Sequence, residues 1–226
     1  MEAYGSIISE RAAHVLEQHK TDDQSIAAAR SFLFDMLAPT PERGDMQYRY
    51  EHCVRVSQIA GVVARAEGLP EKDLVIAGLL HDVGYRECKC SEDFERHPFI
   101  CADIASIYLE NIGYPSDSAQ EMVRGIALHN LSDHLPEDMT IFQMTVRDCD
   151  DIDRYDMIRT ALLLGKCVDE KTNEEIIASC NRLIDLTNWA LTLKRGTQTA
   201  QNMMNENCRK RIALAQDILA QAKKGF

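Results

Sequence analysis

The apolar residues of this chain recur almost everywhere at the 3.6-residue spacing of an α-helix. Alternation with a period of two residues, which is typical of a half-buried strand, is almost absent from the 226 residues. Because this spacing decides whether a helix or a strand can form a buried face, we expect an all-α fold. The predicted helices cover residues 7–19, 21–37, 46–67, 71–81, 98–111, 117–129, 138–164, 172–193 and 197–223.

One domain is the simplest organisation for a chain of this length. We expect a core at about 46–165, with accessory helices in 1–45 and 166–226, and Pro39, Pro41 and Gly44 break the chain before the core. The accessory segments carry no recognised chemistry. Homodimerisation through the C-terminal helices is an option that their pattern leaves open.

A histidine and an aspartate, His81 and Asp82, stand at the polar end of the apolar run 74–80. An unpaired carboxylate buried behind so many aliphatic residues would cost several kcal/mol. A bound metal cation would satisfy both side chains, so the doublet is a candidate metal site.

Three further histidines lie where predicted helices bring them inward. His52 and His129 each belong to an apolar helical stripe, so we expect both imidazoles to face the core. His97 precedes Pro98, and proline suits the first position of a helix. The sequence therefore predicts that His97 lies at the mouth of the helix 98–111.

Two aspartates near the end of the core compete for a place in the same site. Asp150 follows Val146 by one helical turn, but Asp148 shares a second stripe with Ile141 and Met144. Periodicity alone does not choose between the two carboxylates.

The ordered set of histidines and aspartates resembles the HD-domain superfamily of metal-dependent phosphohydrolases. The resemblance runs from about Arg49 to Asp153 and includes the flanking segments 49–56, 77–84 and 148–153. It implies an HD-domain-like helical bundle with additional N- and C-terminal helices. It also favours Asp150, with Asp148 as the fallback, because the family's last aspartate stands in an Asp-x-x-Asp run like 150–153.

The family further implies how a metal centre would be shared among these side chains. Asp82 would bridge two ions, one held by His52, His81 and Asp150 and the other by His97 and His129. Imidazoles and carboxylates suit Fe, Mn, Zn, Co or Ni, and this mixture does not select one of them. We expect two divalent ions per chain. Without His97 and His129 the site would resemble a single-ion branch of the family.

Catalysis on a phosphate ester also needs fixed positive charge beside the metal-bridging Asp82. Arg49 lies one turn before His52, and Arg86, Lys89 and Arg96 follow the doublet. These four are the candidate phosphate-binding groups, and a solvated surface charge is the alternative for each.

Charge and cysteine content restrict the partners and the compartment. The 25 Lys and Arg against 36 Asp and Glu give a net charge of −11. This charge argues against a nucleic acid polymer as a partner and leaves a small phosphorylated substrate.

Eight scattered cysteines favour reduced thiols in the cytoplasm. Cys88 and Cys90 lack a second pair, so a loop is favoured over a structural zinc site. The apolar runs are too short to span a membrane, and the first residues lack the charged and then apolar pattern of a secretory signal peptide. We therefore expect no membrane association.

Three functions compete at this stage. The first is a phosphohydrolase that acts on a nucleotide or another small phosphate ester by metal-activated water. The second is a di-iron oxygenase, because the ligand set also resembles the inositol-oxygenase-like branch of the superfamily. The third is a binding or regulatory module without catalysis, which the intact ligand set disfavours.

Overall fold

The computed structural model of the chain describes residues 8–39, 44, 46–131, 135–168 and 171–224, except for the side chains of 166–168. No strand occurs among these residues, so the predicted all-α fold is confirmed. The helices are α1 (Glu10–Gln18), α2 (Ile26–Leu37), α3 (Gln47–Glu67), α4 (Glu71–Leu80), α5 (Ser91–Asn111), α6 (Ser116–Leu128), α7 (Ile141–Arg154), α8 (Met157–Val168), α9 (Asn173–Thr192) and α10 (Gln198–Lys224), with a 3-10 turn at Tyr85–Glu87.

The contacts within the chain define two compact units, Met1–Asp150 and Asp151–Phe226. The boundary falls within α7. In the second unit α9 packs along α10, and α8 contacts both. The predicted single domain stays a prediction, and the number of unfolding transitions is the measurement that checks it.

Helix α4 is the centre of the first unit and packs against α2, α3 and α6. Its residues are apolar on nearly every side, and Leu74, Leu79 and Leu80 are buried, as expected for a helix surrounded by others. A Cβ atom added at Gly78 would lie 2.9 Å from the Cα atom of Ser57. The glycine therefore allows α3 and α4 to approach closely enough to bring their polar residues together.

Helix α5 begins seven residues earlier than predicted. The backbone N–H groups of Lys89 and Cys90 donate to Asp93 Oδ2 at 2.8 and 3.2 Å, which caps a helix start at Ser91. The prediction that His97 lies at a helix mouth is therefore wrong. Pro98 lies inside the helix and not at its first position.

The single helix predicted over 138–164 is two helices. Thr140 and Gln143 cap the first reciprocally: the Gln143 N–H donates to Thr140 Oγ1 at 3.2 Å, and the Thr140 N–H donates to Gln143 Oε1 at 3.3 Å. Asp156 then starts α8 by accepting the Arg159 N–H at 2.8 Å. Capping side chains, which apolar periodicity does not report, set both starts.

The structure bears on the expectations about the cysteines and about membrane-spanning helices only through the described residues. None of the seven cysteines whose side chains are described forms a disulfide, and Cys88 is buried while Cys90 is exposed. Among the described helices, none combines the length and apolarity that crossing a membrane requires. The predicted start of the first helix at residue 7, the break at Pro41 and residues 132–134 of the loop after His129 lie outside the described residues.

Candidate metal centre

The His81 and Asp82 doublet lies at the C-terminal end of the central helix α4, fully inside the protein. His81 is 0% exposed and Asp82 is 1% exposed. His81 Nδ1 donates to the carbonyl oxygen of Gly78 at 2.8 Å, one of the last carbonyls of α4, which have no helical donor. The imidazole is thereby held with Nε2 directed away from its own helix.

Three side chains from different helices form a first cluster around this nitrogen. His52 Nε2 on α3 lies 3.2 Å from His81 Nε2 and 3.1 Å from Asp150 Oδ1 on α7. His81 Nε2 lies 3.8 Å from the same oxygen. This is a group of candidate metal-binding atoms that are mutually close and all buried.

A second cluster lies on the other side of Asp82. His97 Nε2 on α5 and His129 Nε2 at the end of α6 are 3.2 Å apart. They lie 3.4 and 3.8 Å from Asp82 Oδ1, respectively. The structure thus brings all six predicted metal ligands together, none of them more than 7% exposed.

The hydrogen bonds of the second cluster show that its residues fit a metal ion. His97 Nδ1 donates to the carbonyl of Phe94 at 2.6 Å, and His129 Nδ1 donates to the carbonyl of Ile126 at 2.7 Å. A carbonyl only accepts, so in each neutral ring the proton is on Nδ1 and Nε2 carries a lone pair. Two acceptor nitrogens then face each other at 3.2 Å and cannot bond to one another. A cation between them and the carboxylate resolves this arrangement.

Burial keeps the His129 ring in its neutral, metal-binding form. Desolvation, reinforced by the nearby His81, lowers the pKa of His129 to about 3, against the opposing effect of the neighbouring carboxylates. The imidazole is therefore unprotonated at neutral pH, as metal coordination requires.

Asp82 stands between the two clusters with one carboxylate oxygen toward each. Its Oδ1 faces the second cluster and accepts no hydrogen bond from the described residues. Its Oδ2 lies 3.4 Å from His81 Nε2 and 3.6 Å from His52 Nε2, and accepts a hydrogen bond from Arg49. Although burial opposes ionisation, the positive charge of Arg49 and the contact with His81 hold the pKa of Asp82 well below its usual value. The group is thus a carboxylate suited to contact both clusters.

The four candidate phosphate-binding groups occupy different places. Arg49 lies at the site, with its guanidinium carbon 3.7 Å from the centre of the Tyr85 ring. Arg86 is buried, and its Nε and Nη2 donate to the Leu37 carbonyl at 3.1 and 2.6 Å. A further bond from Arg86 to the Gly44 carbonyl makes this side chain a structural link to the segment after α2. Its predicted catalytic role stays a prediction.

Lys89 and Arg96 are exposed side chains at the start of α5 and within its second turn. The charge of Arg96 contributes to the lowered pKa of Asp93, after the hydrogen bonds from Lys89 and Cys90. No contact of either side chain with the two clusters is found in the part of the chain that the structure describes. Their roles toward a substrate also stay predictions.

The structure places Asp150, and not Asp148, beside the imidazoles. Asp148 Oδ1 instead accepts a hydrogen bond from Arg147 Nη2 at 2.9 Å. The two aspartates lie two residues apart on α7 and so point in directions about 200° apart around its axis. Only the packing of α7 shows which of the two directions leads to the site.

Sequence reasoning missed two residues at the site. Cys53 forms a possible metal-binding group with His81 and Asp82, but burial raises the pKa of its thiol well above the usual value. It is therefore a weaker candidate than the imidazoles. Tyr85, directly after the motif segment 77–84, contacts both Arg49 and His97, with ring centroids 5.6 Å apart for the histidine. Its place three residues after Asp82 was the signal available.

The fold and the site define an all-α protein with two buried histidine and aspartate clusters that share one carboxylate. Residues 49–158 match the family model described as HD domain, which confirms the predicted resemblance over this segment. An HD domain implies a superfamily of metal-dependent hydrolases, and HD domains bind divalent metals. Comparison with curated proteins and with solved structures gave no match.

Proposed function

We propose that the protein is a metal-dependent phosphohydrolase that acts on a nucleotide or another small phosphate ester and holds two divalent ions per chain. The observation that carries the proposal is the position of Asp82: its Oδ1 faces His97 and His129, while its Oδ2 faces His52 and His81 and accepts a hydrogen bond from Arg49. When bound, a pair of divalent ions lowers the pKa of a coordinated water and offsets charge on phosphoryl oxygens.

The chain's own residues supply the rest of the chemistry. The six ligand side chains come from the ends or interiors of five helices, and all six are buried. They are therefore ordered before any substrate binds. Arg49 is the positive group nearest the shared carboxylate, and 19% of its side chain remains exposed. It can therefore reach a phosphate oxygen that arrives from solvent while it keeps its contact with Asp82.

The net charge of −11 supports a small substrate and not a nucleic acid polymer. The absence of disulfides among the seven described cysteines supports a reducing compartment, which we propose is the cytoplasm. Homodimerisation remains a prediction for sedimentation measurements.

The experiment that tests the proposal joins metal analysis with a phosphate-release screen. The gently purified protein is analysed for Fe, Mn, Zn, Co and Ni, and is then assayed against nucleotides, dinucleoside polyphosphates and sugar phosphates. We expect about two ions per chain, and phosphate release that chelation abolishes and re-addition of metal restores. A metal-loaded protein that releases no phosphate from any of these classes would contradict the proposal.

The di-iron oxygenase remains the second candidate because it would use the same ligand set. It predicts a specific requirement for iron and loss of turnover without oxygen. The positive charge of Arg49 beside the shared carboxylate favours the phosphohydrolase. Hydrolysis at equal rates in air and under nitrogen would exclude the oxygenase.

A further inference from the structure

Helix α5 contains a proline where a helix tolerates it poorly. Pro98 is the eighth residue of Ser91–Asn111 and is buried. A proline inside a helix cannot donate a backbone hydrogen bond to the carbonyl four residues earlier, and its ring crowds that carbonyl. For Pro98 the affected carbonyl belongs to Phe94.

The same carbonyl accepts the hydrogen bond that orients His97. The distance from His97 Nδ1 to the Phe94 oxygen is 2.6 Å. In an uninterrupted helix, the N–H of residue 98 would donate to this oxygen and the imidazole would have to share it. Pro98 removes that competing donor, because proline has no backbone N–H.

Two other histidines form the same kind of bond, but they do so at helix ends. His81 Nδ1 donates to Gly78 and His129 Nδ1 donates to Ile126, again three residues back. Both histidines directly follow the last residue of their helices, where the carbonyl has lost the usual N–H donor four residues on; the Ile126 carbonyl accepts only a longer bond, of 3.4 Å, from the His129 backbone N–H in addition. Of these three histidines, His97 is the one that forms the bond inside a helix, next to the only proline within a described helix.

We propose that Pro98 is a positioning residue for the second metal cluster: by leaving the Phe94 carbonyl to His97 Nδ1, it holds the Nε2 lone pair toward His129 and Asp82. Pro98 touches no substrate in this role and acts only through His97. The inference rests on the proposed metal-dependent function and deepens it.

The test compares Pro98→Ala with the parent protein in two measurements that need no turnover. In the metal-free, ¹⁵N-labelled protein at about pH 8, the parent His97 ring should be protonated on Nδ1 alone. The variant should show a mixture of both tautomers. In a manganese(II) titration, the ion at the second cluster should bind about 10- to 100-fold more weakly, the range typical for loss of a partner that orients a ligand. The ion at His52, His81 and Asp150 should keep its affinity.

The stability of the variant separates positioning from a general packing role. Alanine restores a helical hydrogen bond, so Pro98→Ala should melt at the same or a higher temperature than the parent. Pro115→Ala is the matched control, because Pro115 precedes α6, the helix of His129, but no described histidine bonds to the carbonyl four residues before it. This control should keep the parent tautomers and both affinities.

Three results would overturn the inference: an unchanged His97 tautomer in Pro98→Ala, equal weakening of both ions, or equal effects of the two proline substitutions. A lower melting temperature of Pro98→Ala would also count against it. Each readout is independent of hydrolysis. A parent protein that binds two ions but releases no phosphate would therefore refute the proposed function and leave the role of Pro98 testable.

Discussion

His97 and His129 face each other with their Nε2 atoms 3.2 Å apart, while each Nδ1 is used by a backbone carbonyl. Both facing nitrogens are acceptors in the neutral rings, so neither can satisfy the other. This arrangement costs free energy in the metal-free protein and becomes favourable once a cation binds. Such a pair is expected at a metal site and would be unusual as ordinary packing.

The first prediction concerns the number of ions. Replacing His97 and His129 together by alanine should lower the metal content by about one ion per chain and suppress turnover, because the second cluster loses both nitrogens. Elemental analysis and a phosphate-release assay on the same sample check this. If the double variant keeps its stoichiometry and its rate, the two-ion proposal is wrong.

A second prediction concerns the shared carboxylate. Asp82→Asn should abolish hydrolysis while circular dichroism reports unchanged helical content, because an amide removes the charge that both clusters share but keeps the shape of the side chain. Asp148→Asn is the comparison, since Asp148 is equally buried but pairs with Arg147. Measured per folded chain, this second variant should retain its metal, and loss of an ion from it would restore Asp148 as a ligand candidate.

Arg49 should contribute to catalysis more than to folding. Arg49→Gln should lower kcat/KM by about 10²–10³-fold, the range found when one preorganised donor to a developing negative charge is removed. Arg49→Lys should recover part of the loss, because it keeps the charge but not the two-pronged geometry. Arg65→Gln, at an exposed arginine that pairs with Glu71, serves as the control. Equal rates for the Arg49 and Arg65 variants would contradict the assignment.

Gly78 should be required for the approach of α3 and α4. In Gly78→Ala the new methyl group would lie 2.9 Å from a backbone atom of Ser57, so the helices must move apart at a cost of about 1–3 kcal/mol. His52 and His81 lie on these two helices, so metal affinity should fall together with stability. Gly165→Ala, at a helical glycine with open space around it, should be neutral or slightly stabilising in the same denaturant titrations. A fully stable Gly78→Ala variant would show that the contact is not tight.

The last prediction concerns His19, a buried histidine outside the metal centre. Its Nδ1 lies 2.7 Å from Asp22 Oδ2 and its Nε2 lies 2.9 Å from Asp35 Oδ2. Burial disfavours the charged ring, but the hydrogen bonds and charges of the two carboxylates outweigh it and raise the pKa of His19 above 6.5. The stabilisation is therefore fully present below pH 6.5 and is lost as the pH rises through the raised value.

Urea unfolding of the parent and of His19→Gln at about pH 6 and pH 8 measures this effect. The difference in unfolding free energy between the two proteins should be larger at the lower pH. His14→Gln, at an exposed histidine of α1, is the control for the loss of an imidazole as such. A gap for His19→Gln that is equal at both pH values would exclude the linkage.

The local sequence pattern was enough to predict the fold class and the positions of most helices. The 3.6-residue spacing predicted the all-α fold and most helices to within a few residues, because an inward face is a property of a short stretch of chain. The same spacing, together with the resemblance to an ordered family motif, selected His52, His81, Asp82, His97, His129 and Asp150 from a chain that has three other histidines and 34 other acidic residues. Helix starts set by capping side chains, as at Ser91 and Met157, were predicted poorly because apolar spacing contains no information about them.

The sequence by itself determined which side chains could bind a metal, because the chemistry of imidazole and carboxylate belongs to the residue. Only the tertiary structure decided that the six side chains divide into two clusters on either side of Asp82, that Asp150 and not Asp148 faces them, and that Arg49 reaches the carboxylate while Arg86 bonds to backbone carbonyls. These are distances between residues far apart along the chain. They depend on how the helices pack, and the periodicity of one helix does not specify its neighbours.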